Sequence, residues 1–499
     1  MSVWLVFGAA LATVCACALA VASWLWATRL QTAAPGPPTW PLLGNVQHFL
    51  KQPVLLEHAA DLYKQYGDVF RFYVGPKLVV VVTKPEDVKR VLVTTKWQER
   101  DPYFLGTLRK VTGNGLLINS GEVWQRHRKA LEPTFHYTAL HRYLDTFNKE
   151  VCLLSERLAA MGGQESDVLP LMCLSSLRIT MCALGGMEYD VVEPDQYQQQ
   201  QLASEFIGFL KVFQATMFRP WKAINSLMWM SEDGRKLKKI IGMAKDVTNR
   251  YLAALRVYNT KLEITSHFSS LLLEEKPEMQ EMDDKISDEV VTVAVTATET
   301  MAGALAYALS ALGLYPEWQV KAQQQLDEVF GEGGDFLRPA TLEDIGKLTV
   351  IDAIVKETLR LFTVVPFLPR IIDEDIPLAG GRYVAPRGCC VAVASFLTHR
   401  DPDLYPEPDK FDPGRFLPGG SATSRKPFSY IPFGAGSRVC LGSSFATLEM
   451  KVTLATLLRQ FTVVSGSTRK DLEHTLFSIT AHPLKGFRLS FRARKEQSL

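Results

Sequence analysis

The sequence predicts one large, mainly α domain with small β-sheets, carried behind an apolar N-terminal helix. Three observations predict it. Helical stretches fill residues about 160–285 and resume at 287–314 and after 442, a short strand-like pair lies near residue 70, and residues 2–27 carry no charge. The 499 residues are 47% hydrophobic, which is enough to bury a large core. No internal repeat appears, and no linker divides residues 46–499.

The N-terminal run SVWLVFGAALATVCACALAVASWLWA is long enough to span a bilayer, with Trp24 and Trp26 at one edge and Arg29 just beyond. Ala20 and Ala22 offer a rival reading as a cleaved signal, but no basic region precedes the run and it continues past them. Residues 1–28 therefore read as an uncleaved transmembrane anchor. Its first flanking charge, Arg29, leaves the rest of the chain in the cytosol. The proline-rich residues 29–45, with PGPPTWPLLGN, read as a stiff hinge because proline fixes φ.

VFRFYVGPKLVVVVTKPEDV, from residue 69, reads as two strands joined by a Gly-Pro turn and followed by a helix. Residues 160–285 carry no chemical motif. Ser287 to Leu314 reads as one helix of about 40 Å, opened by a capping serine and two acids and stopped before Pro316. Thr296, Thr298, Glu299 and Thr300 interrupt its apolar surface. A carboxylate there is costly unless it is paired or functional.

The eight cysteines show no disulfide or zinc spacing, so reduced thiols are expected, most of them packed as small hydrophobes. Cys440 differs. In FGAGSRVCLG, Gly434, Gly436 and Gly442 bracket it, and an amphipathic run with Phe445, Leu448, Val452, Ala455 and Leu458 on one face follows. A helix N-terminus beside it favours thiolate, the form that binds metals, and Arg438 adds a cation for an anionic group. In KETLRL, Glu357 and Arg360 lie three apart on one helix face, a spacing that by itself suits any surface pair. The net charge of +2 suggests neither a nucleic-acid nor a polyanionic partner.

Phe433, Gly434, Gly436, Arg438, Cys440 and Gly442 together resemble the haem-binding loop of the cytochrome P450 superfamily. The resemblance covers nearly the whole chain. It implies a cytochrome P450 fold, with residues 46–499 as the haem catalytic domain and Cys440 as the axial thiolate of the iron in haem b. It also implies that Glu357 and Arg360 lock onto Arg415 of FDPGRF, where Gly414 replaces the usual acid. Trp124 and Arg128 of WQRHRK, Arg370 of VPFLPR, and Arg438 resemble the family's propionate-binding set. Glu299 and Thr300 resemble the acid and threonine that relay protons to iron-bound oxygen.

Thr296 and Ala297 depart from the usual residues before that acid, and Met301 replaces a second hydroxyl residue, which narrows the oxygen groove. Many fatty-acid ω-hydroxylases carry at the place of Thr296 a glutamate that bonds the haem covalently; this chain cannot form that ester. GNGLLINSGEVWQRHRKALEPTFHYTALHRYLDTFN and residues 390–460 nevertheless resemble the microsomal ω-hydroxylase branch. The implied activity is a monooxygenase acting on a small lipophilic substrate, a fatty acid or related lipid. Dioxygen is its co-substrate, and NADPH–cytochrome P450 reductase its electron donor at the endoplasmic reticulum membrane. A haem-thiolate isomerase or dehydratase of lipid peroxides, or a non-enzymatic haem-binding protein, are the alternatives. Arg126, Lys129, Arg425, Lys426 and Lys451 either dock an acidic redox partner or belong to solvated helix faces.

Overall fold

The structure, a computed structural model, describes residues 2–46, 54–94, 100–186, 188–217, 225–259, 279–331 and 336–494. Helix α1 (Ser2–Ala27) leaves Trp4, Phe7 and Trp24 exposed. At its foot the Arg29 guanidinium lies 3.8 Å over the Trp26 ring, and Trp26 meets Tyr73 at 6.2 Å. Helix α2 (Leu55–Tyr66) leads into strands β1 (Val69–Val74) and β2 (Lys77–Val82), paired antiparallel around Gly75. This is the hairpin that the sequence predicts.

Helices α3 (Pro102–Thr112), α4 (Gly121–Leu131), α5 (Tyr137–Ala159), α6 (Leu169–Gly185), α7 (Gln196–Met217) and α8 (Glu232–Asn259) follow. The expected helical character of residues 160–285 holds for most of the described part, with Ser166–Asp167 a short strand instead; residues 187, 218–224 and 260–278 lie outside the described residues. Helix α9 (Met279–Leu314) crosses the domain, and its 36 residues span about 54 Å. It starts eight residues before Ser287, so that serine lies inside the helix and does not cap it. The preceding Gln, Glu, Met and Lys are good helix formers and carry the helix through.

Helices α10 (Pro316–Phe330) and α11 (Thr349–Leu361) then precede strands β3 (Phe367–Ile371) and β4 (Cys390–Ala394). The chain closes with α12 (Ser443–Gln460), β5 (Phe461–Ser465), β6 (Thr475–Phe477), β7 (Ala481–Pro483) and β8 (Arg488–Ala493). One sheet runs β1-β2-β4-β3, with β2 parallel to β4 and Val79 opposite Cys390. β6 and β7 form a hairpin, and β8 pairs with β5 and with Ser166–Asp167.

The core is built around α9. Leu305, Ala306, Ala308, Leu309, Ala311 and Leu312 are fully or almost fully buried, and α6, α11 and α12 pack into the same apolar cluster. Residues 286–314 are long and apolar enough to cross a membrane, yet 67% of an 18-residue apolar stretch within them is buried, which marks a core helix. Nearly every position of α6 is buried too, so it shows little amphipathic contrast in sequence.

The short helix Leu342–Lys347 opens with a capping box in which Thr341 and Asp344 exchange hydrogen bonds. Arg338 grips Asp344 at 2.7 and 2.9 Å and holds its carboxyl well below the usual range. A depressed carboxylate contributes stability above its ordinary pKa and loses it as pH falls. Asp344→Asn is expected to cost about 1 kcal/mol at neutral pH. It should also flatten the loss of thermal stability below pH about 4, where the unfolded carboxyl titrates; an unchanged acid limb in scanning calorimetry would contradict this.

Candidate active site

The loop from Phe433 to Gly442 is folded by its own backbone. Cys440 N–H donates to Phe433 O at 2.9 Å and Gly434 N–H to Ile431 O at 3.0 Å, which curls the chain beneath the cysteine. Gly436, at φ +73°, sits so close to Leu92 that a Cβ would lie 1.8 Å from its carbonyl oxygen. Gly434 also has positive φ, whereas Gly442 is at −87° and needs no glycine conformation. Glycine at 442 is thus not explained by backbone freedom.

Cys440 lines a cavity of about 410 Å³ in the middle of the domain. Its measurable exposure is to that cavity. Burial pushes its thiol above the ordinary value, although the Gly442 N–H and the Arg128 charge both pull it down. The expected thiolate is therefore not secured by the helix terminus alone; a bound metal has to displace the proton.

Four guanidinium groups gather along one side of the cavity. Arg128 on α4 donates to Val439 O at 2.7 Å, and Arg438 donates to Asn119 O at 2.8 Å while lying 4.0 Å over the Trp124 ring. Arg370 on β3 is 1% exposed and donates to Pro369 O at 2.9 Å. Arg100 lines the same wall. Burial and then repulsion by neighbouring guanidiniums depress two of them: Arg438 to about 9, with Arg100 and Arg128 opposing it, and Arg370 well below its usual value, with Arg100 and Arg438 opposing it. Burial alone brings Arg100 to about 10.

Arg438 Nη1 and Arg100 Nε are buried without a hydrogen-bond partner. Like charges gathered with donors left over fit a bound dianion, so the residues present suit a haem with two carboxylates. Arg100 was not legible in sequence. It sits in a charged run, WQERDP, that reads as ordinary surface.

Behind the loop, Glu357 and Arg360 of α11 are fully buried. Arg360 Nε and Nη2 meet the two carboxylate oxygens at 2.7 and 2.9 Å. Its remaining N–H groups donate to His399 O, Pro408 O and Lys410 O, which ties the meander to the helix. Glu357 also accepts from Asp412 N–H at 2.8 Å and lies 3.4 Å from Arg415 Nε. Arg415 Nη2 reaches Glu407 O at 2.8 Å. The three residues that the sequence groups are together, and the replaced acid, Gly414, takes no side-chain part.

Across the cavity α9 presents Thr296, Ala297, Glu299, Thr300 and Met301. Thr296 donates to Thr292 O at 2.7 Å and Thr300 to Thr296 O at 2.8 Å, so both hydroxyl protons are turned back along the helix. Glu299 is buried and bonded to the hydroxyl of Thr480, with Ser478 Oγ at 3.5 Å and His482 Nε2 at 3.4 Å. Sequence reasoning missed this cluster, because its halves lie far apart in the chain and no local motif marks Thr480 or His482.

Among the basic residues considered for partner docking, Lys451 is held by Asp352 at 2.5 Å and Arg425 stacks 5.2 Å from the Tyr430 ring centroid. Both therefore have intramolecular roles.

The chain matches the cytochrome P450 family over residues 34–489. It is 33% identical to cytochrome P450 4V2 of Mus musculus over 81% of this chain and 78% of that protein. It is 30% identical to cytochrome P450 4V2 of Homo sapiens over 90% and 88%, and 27% identical to cytochrome P450 4g1 of Drosophila melanogaster over 89% and 86%. A match running from the proline-rich stretch into the last strand takes in every element around the cavity: the chain belongs to the cytochrome P450 family and is a cytochrome P450 monooxygenase.

Proposed function

We propose that this protein hydroxylates a fatty acid or a related lipid on a haem b held by Cys440. The observation that carries the reading is the division of the cavity. Cations crowd one rim, whereas Leu62, Phe72, Phe104, Leu108, Val365 and Phe367 make much of the remaining wall apolar. An alkyl chain gains about 0.8 kcal/mol per methylene against such a wall. The ω-hydroxylase likeness in sequence points to the same substrate class.

When bound, the haem supplies the iron chemistry that activates dioxygen with electrons from NADPH through a separate reductase. Cys440 would hold the iron through its sulfur, with the Gly442 N–H and the Arg128 charge favouring the thiolate. Arg100, Arg128, Arg370, Arg438 and Trp124 would receive the haem carboxylates, and Phe433 opens the loop that carries Cys440. Glu357, Arg360 and Arg415 are structural. The apolar wall excludes water from the reacting carbon, and Glu299 with Thr300 carries protons at the carboxylate and hydroxyl oxygens.

Residues 1–28 anchor the protein in the endoplasmic reticulum membrane, residues 29–45 form the hinge, and the domain 46–499 faces the cytosol. The exposed tryptophans of α1 and its packing beside Tyr73 support that arrangement.

Carbon monoxide added to the reduced protein is expected to give the red-shifted Soret band of thiolate ligation, and Cys440→Ala to abolish it. Lipid profiling after incubation with reductase and NADPH should then show hydroxylated fatty acids. An imidazole-type spectrum, or NADPH consumption with no oxidised lipid, would overturn the proposal.

A further inference from the structure

The buried cluster around Glu299 holds more than an acid and a threonine. Thr480 Oγ1 is hydrogen-bonded to Glu299 Oε1 and stands 2.8 Å from His482 Nε2. A hydroxyl with a carboxylate on one side and a ring nitrogen on the other donates to the first and accepts from the second. That sets a direction: imidazole N–H to threonine O–H to carboxylate. His482 also reaches Glu299 directly at 3.4 Å, so the imidazole and the carboxylate share one pocket.

The helix makes room for the ring. Gly303, one turn along α9 from Glu299, would place a Cβ 3.1 Å from His482 Cε1 and 3.5 Å from Nδ1. Glycine in a helix interior costs about 0.5–1 kcal/mol relative to alanine, and here the approach of the imidazole accounts for it. His482 is 6% exposed and its Nδ1 has no hydrogen-bond partner. The hairpin carrying it continues directly to the exposed Leu484 and Lys485, so the cluster lies between the cavity and an outer turn.

We propose that His482, acting through Thr480, is the positioning residue that recharges Glu299 with protons from the β6–β7 hairpin. Glu299 releases its proton toward the cavity. The Thr480 hydroxyl then passes its proton to the carboxylate and takes the Nε2 proton of the imidazolium. The imidazole is left neutral, and solvent water restores its proton. The other ionisable groups beside this path are Cys173 on α6, which feels the Glu299 charge, and Tyr307 on α9, whose hydroxyl donates to Ala481 O. The inference rests on the proposed role of Glu299.

The test uses the full-length haem protein and needs no substrate. Infrared difference spectroscopy follows the carboxyl band that Glu299→Gln removes. Thr480→Val removes the hydroxyl bonded to Glu299 Oε1, so that band should move in frequency, whereas Thr480→Ser should leave it in place. Reductase-driven turnover with NADPH and dioxygen alone should divert severalfold more of its electrons into hydrogen peroxide in His482→Gln and in Thr480→Val. Thr480→Ser, which keeps the hydroxyl, should partition like the parent. An unmoved band in Thr480→Val, or equal partition in the valine and serine variants, overturns the relay. The red-shifted carbon monoxide band in each variant certifies fold and ligation, and its absence from the parent would sink the proposed function separately.

Discussion

Glu357→Gln is expected to destabilise the domain by about 3–5 kcal/mol, because it leaves the buried Arg360 and Arg415 without their anion. The geometry makes the loss asymmetric. Arg360 spends its donors on Glu357 and on three carbonyls of the 399–410 segment, so a neutral partner keeps the fixed guanidinium in place but no longer balances its charge. Burial already pushes the Glu357 carboxyl up against the opposing pull of Arg360. Thermal unfolding and the yield of haem-loaded protein measure the effect. The paired change Glu357→Gln with Arg360→Leu should cost less than the sum of its parts, since it removes the stranded charge. A single variant as stable as the parent would show that the pair is not the lock beneath the cysteine loop.

A second substitution should act in the opposite direction. Glu449 on α12 is completely buried; Ser176 of α6 donates to its Oε1 at 3.2 Å, and its Oε2 has no hydrogen-bond partner. Burial pushes this carboxyl up to about 8, with the Ser176 hydroxyl only partly offsetting it. The unfolded carboxyl titrates near 4.5, so the folded state holds the extra proton between those values. Stability from this group is complete below the unfolded pKa and is lost as pH rises toward the folded one.

Glu449→Gln keeps the acceptor for Ser176 and removes the titration. It should leave stability nearly unchanged at pH about 4 and raise it at pH about 8 by on the order of 2–4 kcal/mol. Melting curves across that range decide the matter. A glutamine variant less stable at every pH would mean that the carboxylate has a favourable ionised role.

What the sequence made legible was local. The cysteine loop, the β1–β2 hairpin and the polar break in α9 each lie within one short segment, where local pattern carries the signal; the Glu357–Arg360 spacing alone suited any surface pair and gained its meaning from family likeness. Arg415 and the propionate-side residues were found through family likeness, since nothing in their own neighbourhoods distinguishes them from surface charge. Thr480, His482, Glu449 and Arg100 stayed hidden because their meaning comes from partners in distant elements. The start of α9 was misjudged for a different reason: Ser287 and its acids form a good cap, but the preceding residues favour helix enough to override it.

The parallel pairing of β2 with β4 joins residues about 310 positions apart in the chain. At ordinary ribosomal speeds of roughly 5–20 residues per second, the outer edge of the first hairpin waits about 15–60 s for its neighbour to be synthesised. Throughout that interval Val79 to Val82 offers an open row of amide and carbonyl groups, a template for mispairing with any other nascent chain. The yield of native protein should therefore depend on how well that early edge is shielded during translation, and a charge placed on it by Val80→Lys would trade final packing for a cleaner birth.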